Sequence, residues 1–131
     1  MMIPAEADIR VARNGVYRDL LYFRQSGQTF DITGWAARMQ VRRYPGEAGT
    51  PLIDLGTSVT SSNGSHIAIT DAAGGILEIF IAKADIAALP EAATPPQPQS
   101  IFAYDVVLTE PGGDENVYLK GALVVDEGVT K

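Results

Sequence analysis

Residues 35–43 read WAARMQVRR, and the way their apolar side chains step decides the fold. Trp35, Ala37, Met39 and Val41 fall on one side of an extended chain, with Ala36, Arg38, Gln40 and Arg42 on the other. This is the period-two signature of a half-buried strand. Ala, Arg, Met and Gln also favour helix. The strand is preferred because the apolar set steps by two. In addition, Thr33-Gly34 before it and Tyr44-Pro45-Gly46 after it leave too few residues for a stable helix.

The same alternation recurs on both sides of this stretch. Upstream, YRDLLYFR (17–24) is rich in β formers and is followed by turn chemistry at Ser26-Gly27-Gln28. Downstream, PLIDLGT (51–57) predicts a short strand, and Asn63-Gly64 is a favoured pair for a tight hairpin turn before a brief strand at His66–Thr70. After the turn at 71–75, ILEIFIA (76–82) sends Leu77, Ile79 and Ile81 one way and Ile76, Glu78 and Phe80 the other. Apolar residues on both faces predict a central or covered strand. KADIAALP (83–90) is the one helical stretch, Ala-rich and stopped by Pro90. EAATPPQPQ (91–99) cannot hold a regular hydrogen-bonded ladder and reads as a surface crossover. SIFAYDVVLT (100–109) and NVYLKGALVV (116–125) form a long hairpin across a Gly-rich turn. Phe102, Tyr104, Val106 and Leu108 share one face of its first arm, and Val117, Leu119, Leu123 and Val125 one face of its second. About seven strands with one short helix near 83–89 predict a mainly β chain, an antiparallel two-sheet β-sandwich or a related barrel.

At 131 residues the chain suits one domain over 1–131, able to hide roughly two-thirds of its unfolded surface. It has no cysteine, so packing and strand pairing must supply the stability. Charged residues near the start argue against a secretory leader, and no stretch reaches the roughly 20 apolar residues of a membrane span. A soluble, cytoplasmically made protein is expected. The net charge of −6 argues against a nucleic-acid partner. Charge is nevertheless uneven. Residues 1–43 carry seven Arg against four acids, whereas residues 44–131 carry three Lys against twelve acids. Either both sets are solvated strand faces, or opposite ends attract neighbouring copies or a different subunit.

A search for chemistry finds little. There is a single histidine, His66, so no multi-histidine metal site can form. Ser61, Ser62 or Ser65 beside it lack a nucleophile-elbow context, and His66 is expected as an exposed hairpin residue. The carboxylates lie mid-strand (Asp54, Glu78, Asp105) or in turns, and the acidic turn GGDEN lacks a ligand-spaced calcium loop. Gly74-Gly75 and Gly112-Gly113 sit between strands, not between a strand and a helix as phosphate-cradling glycines do. Trp35 reads as a core anchor in preference to a sugar-stacking platform. No catalytic residue, cofactor or metal is expected.

Five segments in order carry a family resemblance: DITGWAARMQVRR (31–43), PLIDL (51–55), GILEIFIAKADIAAL (75–89), YDVVLTEPGG (104–113) and YLKGALVVDEGVT (118–130). With them the chain resembles small proteins encoded among the tail and baseplate genes of tailed bacteriophages and proteobacterial prophages. The resemblance implies an immunoglobulin-like β-sandwich serving as a non-catalytic virion component. Such a protein would be made in the host cytoplasm and carried in the tail, packed against other tail proteins or copies of itself. Residues 1–16 depart from the group in length and charge, leaving an ordered strand, a partner-reaching flexible arm or a disordered tail open. The candidate interface is Arg38, Gln40, Arg42, Arg43 and Tyr44, a basic strip in an otherwise acidic chain. The alternative expectation is a carbohydrate- or receptor-binding module using loop aromatics such as Tyr44.

Overall fold

The computed structural model describes residues 5–25, 27–57, 62–90 and 99–127. Along them run β1 (Ala5–Glu6), β2 (Ile9–Ala12), β3 (Tyr17–Tyr22), β4 (Arg24–Gln25), β5 (Gln28–Thr29), β6 (Ala36–Arg42), β7 (Ile53–Gly56), β8 (His66–Asp71), β9 (Ile76–Ile81), α1 (Lys83–Ala87), β10 (Gln99–Thr109) and β11 (Glu115–Asp126). The chain is mainly β and is built on two principal sheets. The larger has the order β1-β11-β10-β6-β7, with β2 following β1 along the same edge of β11. The smaller is β3-β9-β8, and β4–β5 is a separate two-stranded hairpin. The proline-rich crossover at 91–98 lies outside the described residues.

The expectation of antiparallel pairing throughout is corrected at one edge: β1 and β2 run parallel to β11, so the larger sheet is mixed. A parallel pair requires a long return connection, and here most of the chain supplies it. More than the expected seven strand segments are present, partly because 17–24 is broken at Phe23. That side chain is buried, and its N–H turns to the Gly75 carbonyl at 2.8 Å.

The alternating patterns pack as their periods require, with one correction: a register shift in the β10–β11 pairing sets Val117 opposite outward Val107, so it leaves the inward set of Leu119, Leu123 and Val125 and is only half-buried. Ala37, Met39 and Val41 of β6, Leu77, Ile79 and Ile81 of β9, and Phe102, Tyr104, Val106 and Leu108 of β10 are buried. They join Leu119, Leu123 and Val125 in one apolar cluster fed by both sheets. Trp35 is partly buried at the margin of this cluster, edge-on to Phe30 with ring centroids 5.6 Å apart. β9 is the central strand of its sheet.

Two polar devices tie the N-terminal stretch down. Between β1 and β2, the Ala7 carbonyl accepts the Tyr104 hydroxyl at 2.6 Å, and the Asp8 carboxylate accepts the Ala122 N–H at 3.2 Å. The backbone comes so close here that a Cβ on Gly121 would overlap the Ala7 oxygen. Past β2, buried Arg13 donates to the Ile86 carbonyl at 2.9 Å and to those of Leu89 and Pro90, the end of α1. The same guanidinium pairs with Glu127, which also accepts from Ser100 Oγ at 2.6 Å. One side chain thus joins the start of the chain, the helix and the end of β11.

Candidate functional site

The candidate site is the outer face of the larger sheet. On β6 the outward residues are Arg38, Gln40 and Arg42. The register sets Arg42 opposite Ala103 and Gln40 opposite Asp105 on β10. Across the next strand pair, Ala103 meets Ala122 and Asp105 meets Lys120 on β11. Small residues in the middle (Ala103, Gly121, Ala122) and larger groups at the margins leave a groove of about 640 Å³. Tyr44, Pro45 and Gly46 wall it on one side, and Glu6 and Asp8 of the N-terminal strand on the other. Tyr44 is 58% exposed and Ile101 57%, so both present apolar surface at the groove.

Of the five residues that the sequence singles out, Gln40, Arg42, Arg43 and Tyr44 line this groove. Arg38 stands on the same face beyond its lining. Their charges are not equally available. Arg42 donates to the Glu47 carbonyl at 2.9 Å, the Gly49 carbonyl at 2.6 Å and Gln40 Oε1 at 3.3 Å, so its guanidinium holds the β6–β7 loop in place. Arg38 Nε lies 3.5 Å from Asp54 Oδ1 in an exposed pair. Arg43 anchors its backbone N–H on Glu47 Oε1 at 3.0 Å and leaves its side chain in solvent. The groove is therefore rimmed by mixed charge: Arg43 and Lys120 on one side of the balance, Glu6 and Asp8 on the other. On its floor, burial pushes the half-buried Asp105 carboxyl above the usual range for aspartate, while Arg38 and Arg42 pull it back.

His66 is not the exposed hairpin residue expected. It is partly buried, with Nε2 2.8 Å from Glu78 Oε1, Nδ1 3.0 Å from the Gly64 carbonyl, and its ring against Phe80. Arg18 completes the cluster, 4.5 Å over the Phe80 ring and 3.2 Å from Glu78. The Glu78 hydrogen bond raises the histidine above its ordinary value, helped by the Gly64 carbonyl. Ser65, just before β8, is fully buried. Its Oγ bonds Asp85 and accepts the Ala82 N–H at 2.7 Å, tying the β8 hairpin to the start of α1. Ser61 lies outside the described residues. The signal in the sequence is the turn at 71–75, which folds His66 back beside the following strand; an irregularity between Ile69 and Asp71 shifts the register, so counting from the turn alone misses the match.

Among the described residues, no group of three or more His, Cys, Asp or Glu side chains could hold a metal ion. Nor is any helix among them long and apolar enough to cross a membrane. No protein-family model matches the chain, and no curated protein shows significant similarity to it.

Proposed function

We propose that the chain is an immunoglobulin-like β-sandwich that works as a non-catalytic interaction component of a phage or prophage tail, docking a neighbouring tail protein through the groove on its larger sheet. The observation that carries the reading is the convergence of Gln40, Arg42, Arg43 and Tyr44 with Ile101 and Lys120 on one open concave face. Exposed apolar anchors inside a polar rim are the anatomy of a docking surface. The immunoglobulin-like part rests on strand order. An N-terminal edge beside β11-β10-β6-β7, with β3-β9-β8 as the second sheet, corresponds to the arrangement in which the strand after C joins the sheet of G, F and C and B, E and D form the other. The tail setting rests on the sequence resemblance, as does assembly in the host cytoplasm before incorporation into the virion.

The test is capture of the products of neighbouring tail genes by the full chain, repeated with Tyr44→Ala and Ile101→Asp. Capture that both substitutions abolish supports the reading. A chain that captures none of those products, or captures them undiminished by either change, overturns it. Tyr44 at the groove rim also fits the second reading, a carbohydrate-binding module, because an exposed ring can stack on a sugar face. Glycan-array binding that Tyr44→Ala removes would favour that alternative.

A further inference from the structure

β3 is the outer strand of the smaller sheet, paired with β9 from Tyr17↔Ile81 to Tyr22↔Ile76. In such a ladder, alternate residues turn their N–H and C=O toward the neighbour. The Phe23 N–H reaches across to Gly75, so the odd-numbered residues face β9 and Arg18, Leu20 and Tyr22 direct theirs outward. Among the described residues no strand takes up that edge. The Leu20 N–H is instead bonded by its neighbour's side chain, Asp19 Oδ1, at 2.9 Å, and Asp19 also accepts from the Tyr17 hydroxyl at 3.1 Å. Leu20 and Tyr22 are 40% and 52% exposed, with half-buried Ile76 and Phe80 beside them on the same outer face. An open edge carrying apolar side chains is a template for another strand.

We propose that this edge is a self-pairing interface: two copies of the chain align β3 antiparallel about a two-fold axis at Leu20, and Asp19 keeps the edge closed in the monomer. The register follows from the residues. Outward-directed groups must meet outward-directed groups, which restricts the pairing to even residues opposite even residues. Centring the axis on Arg18 sets two guanidiniums against each other, and centring it on Asp19 sets two carboxylates together, both unfavourable. Centring it at Leu21 or Tyr22 runs off the end of β3. Centring it at Leu20 places leucine against leucine, with Arg18 across from Tyr22 of the other copy on each side. Arg18 already lies over an aromatic ring within its own chain, at Phe80. Each Arg18, Leu20 and Tyr22 then exchanges backbone hydrogen bonds with its opposite number, and the two three-stranded sheets become one.

Asp19 opposes this pairing in two ways. Its carboxylate occupies the Leu20 N–H that the dyad needs, and it sets a charge on the inward side of an edge strand, a device that discourages indiscriminate pairing. The surface belongs to the smaller sheet, so self-pairing leaves the groove of the larger sheet available and does not depend on what docks there.

Sedimentation equilibrium of the full chain tests the proposal, from about 1 µM to about 1 mM, the range in which modest interfaces associate. The expected result is a concentration-dependent monomer–dimer equilibrium. Leu20→Glu should weaken it at least about tenfold by placing like charges on the axis. Leu20→Pro should do the same by removing only an outward donor, a change edge strands accept. Asp19→Ala should tighten it about threefold or more by releasing the Leu20 N–H. The chain has no cysteine, so disulfide trapping reads the register directly. A mixture of Arg18→Cys and Tyr22→Cys chains should form the mixed dimer faster than either forms its own. If Leu20→Pro fails to fold, Leu20→Glu, which alters an exposed side chain, still decides the matter. Strictly monomeric behaviour of both the wild type and Asp19→Ala would falsify the proposal, as would a dimer indifferent to Leu20→Glu.

Discussion

Arg13 binds three parts of the molecule that are remote in sequence, and its loss should be the most damaging single polar change. Arg13→Ala would take the guanidinium from the Glu127 carboxylate, whose side chain is only 5% exposed and would keep the Ser100 hydroxyl, and would free the carbonyls of Ile86 and Leu89. Breaking one side of a buried pair typically costs about 3–5 kcal/mol, so urea unfolding should show a loss of that order. Arg13→Lys should recover little of it, because a single ammonium cannot match the fork that reaches Glu127 and the helix end together. The sequence held a trace of this role in the run Ile9-x-Val11-x-Arg13, where Arg13 takes the inward phase of an alternating strand. What an inward arginine would meet could not be seen there. His66 was legible only as a lone histidine. Its bond to Glu78 raises the histidine above its ordinary 6.5 and lowers the carboxylate below its ordinary 4.5. A raised histidine stabilises fully below its unfolded value and loses that contribution as pH rises through the folded one. The lowered glutamate contributes above its unfolded value and loses its share as pH falls. The pair therefore contributes most between about pH 4.5 and 6.5. The Tm difference between wild type and His66→Gln should be largest near pH 5.5 and shrink toward pH 8.5, a trend expected from proton linkage at about these values. A difference constant with pH would assign the ring's contribution to packing on Phe80 alone.

Among the elements, the N-terminal edge strand is the one whose placement rests on a few identifiable contacts. Tyr104→Phe removes the hydroxyl that holds the Ala7 carbonyl and should cost about 1 kcal/mol. Gly121→Ala puts a methyl group where the Ala7 oxygen sits and should cost about 1–3 kcal/mol as the strand is pushed off β11. In both variants, hydrogen exchange should quicken at residues 9–12 while the β10–β11 hairpin stays protected. Uniform quickening throughout would mean that the edge strand unfolds only with the whole domain. β6, β9 and β10 were legible because each alternates cleanly over several residues; β11 was legible as a strand, but the register shift that turns Val117 off the inward face was not. The short helix α1 was legible from its alanines and Pro90. The edge strand was not, because segments as short as Ala5–Glu6 and Ile9–Ala12 carry too little period to declare themselves. The irregularity in β8 was also invisible, since a bulge changes which residues face each other without changing composition.

For the whole molecule, the groove and the core separate function from stability. Tyr44 and Ile101 are exposed, so Tyr44→Ala should leave Tm within about 2 °C of wild type while removing partner capture, since surface changes away from packed features stay within about 0.5 kcal/mol. A comparable loss of Tm would mean that Tyr44 supports the loop that Arg42 holds and is not a docking anchor. The candidate strip was legible as a set of residues on one strand face, but its electrostatic character was not. Composition counts Arg38 and Arg42 as free positive charge, whereas Asp54 and the carbonyls of Glu47 and Gly49 engage them. The sequence by itself determined the β class, the inward and outward faces of β6, β9 and β10, the short helix and the surface that β6 offers, because alternation is a local property carried by neighbouring residues. Only the tertiary structure decided that the start of the chain lies parallel to its end, that small residues of β10 and β11 floor a groove beside β6, and that β3 remains an edge. Those outcomes depend on which distant segments meet, and pairing across a hundred residues leaves no periodic mark in either partner.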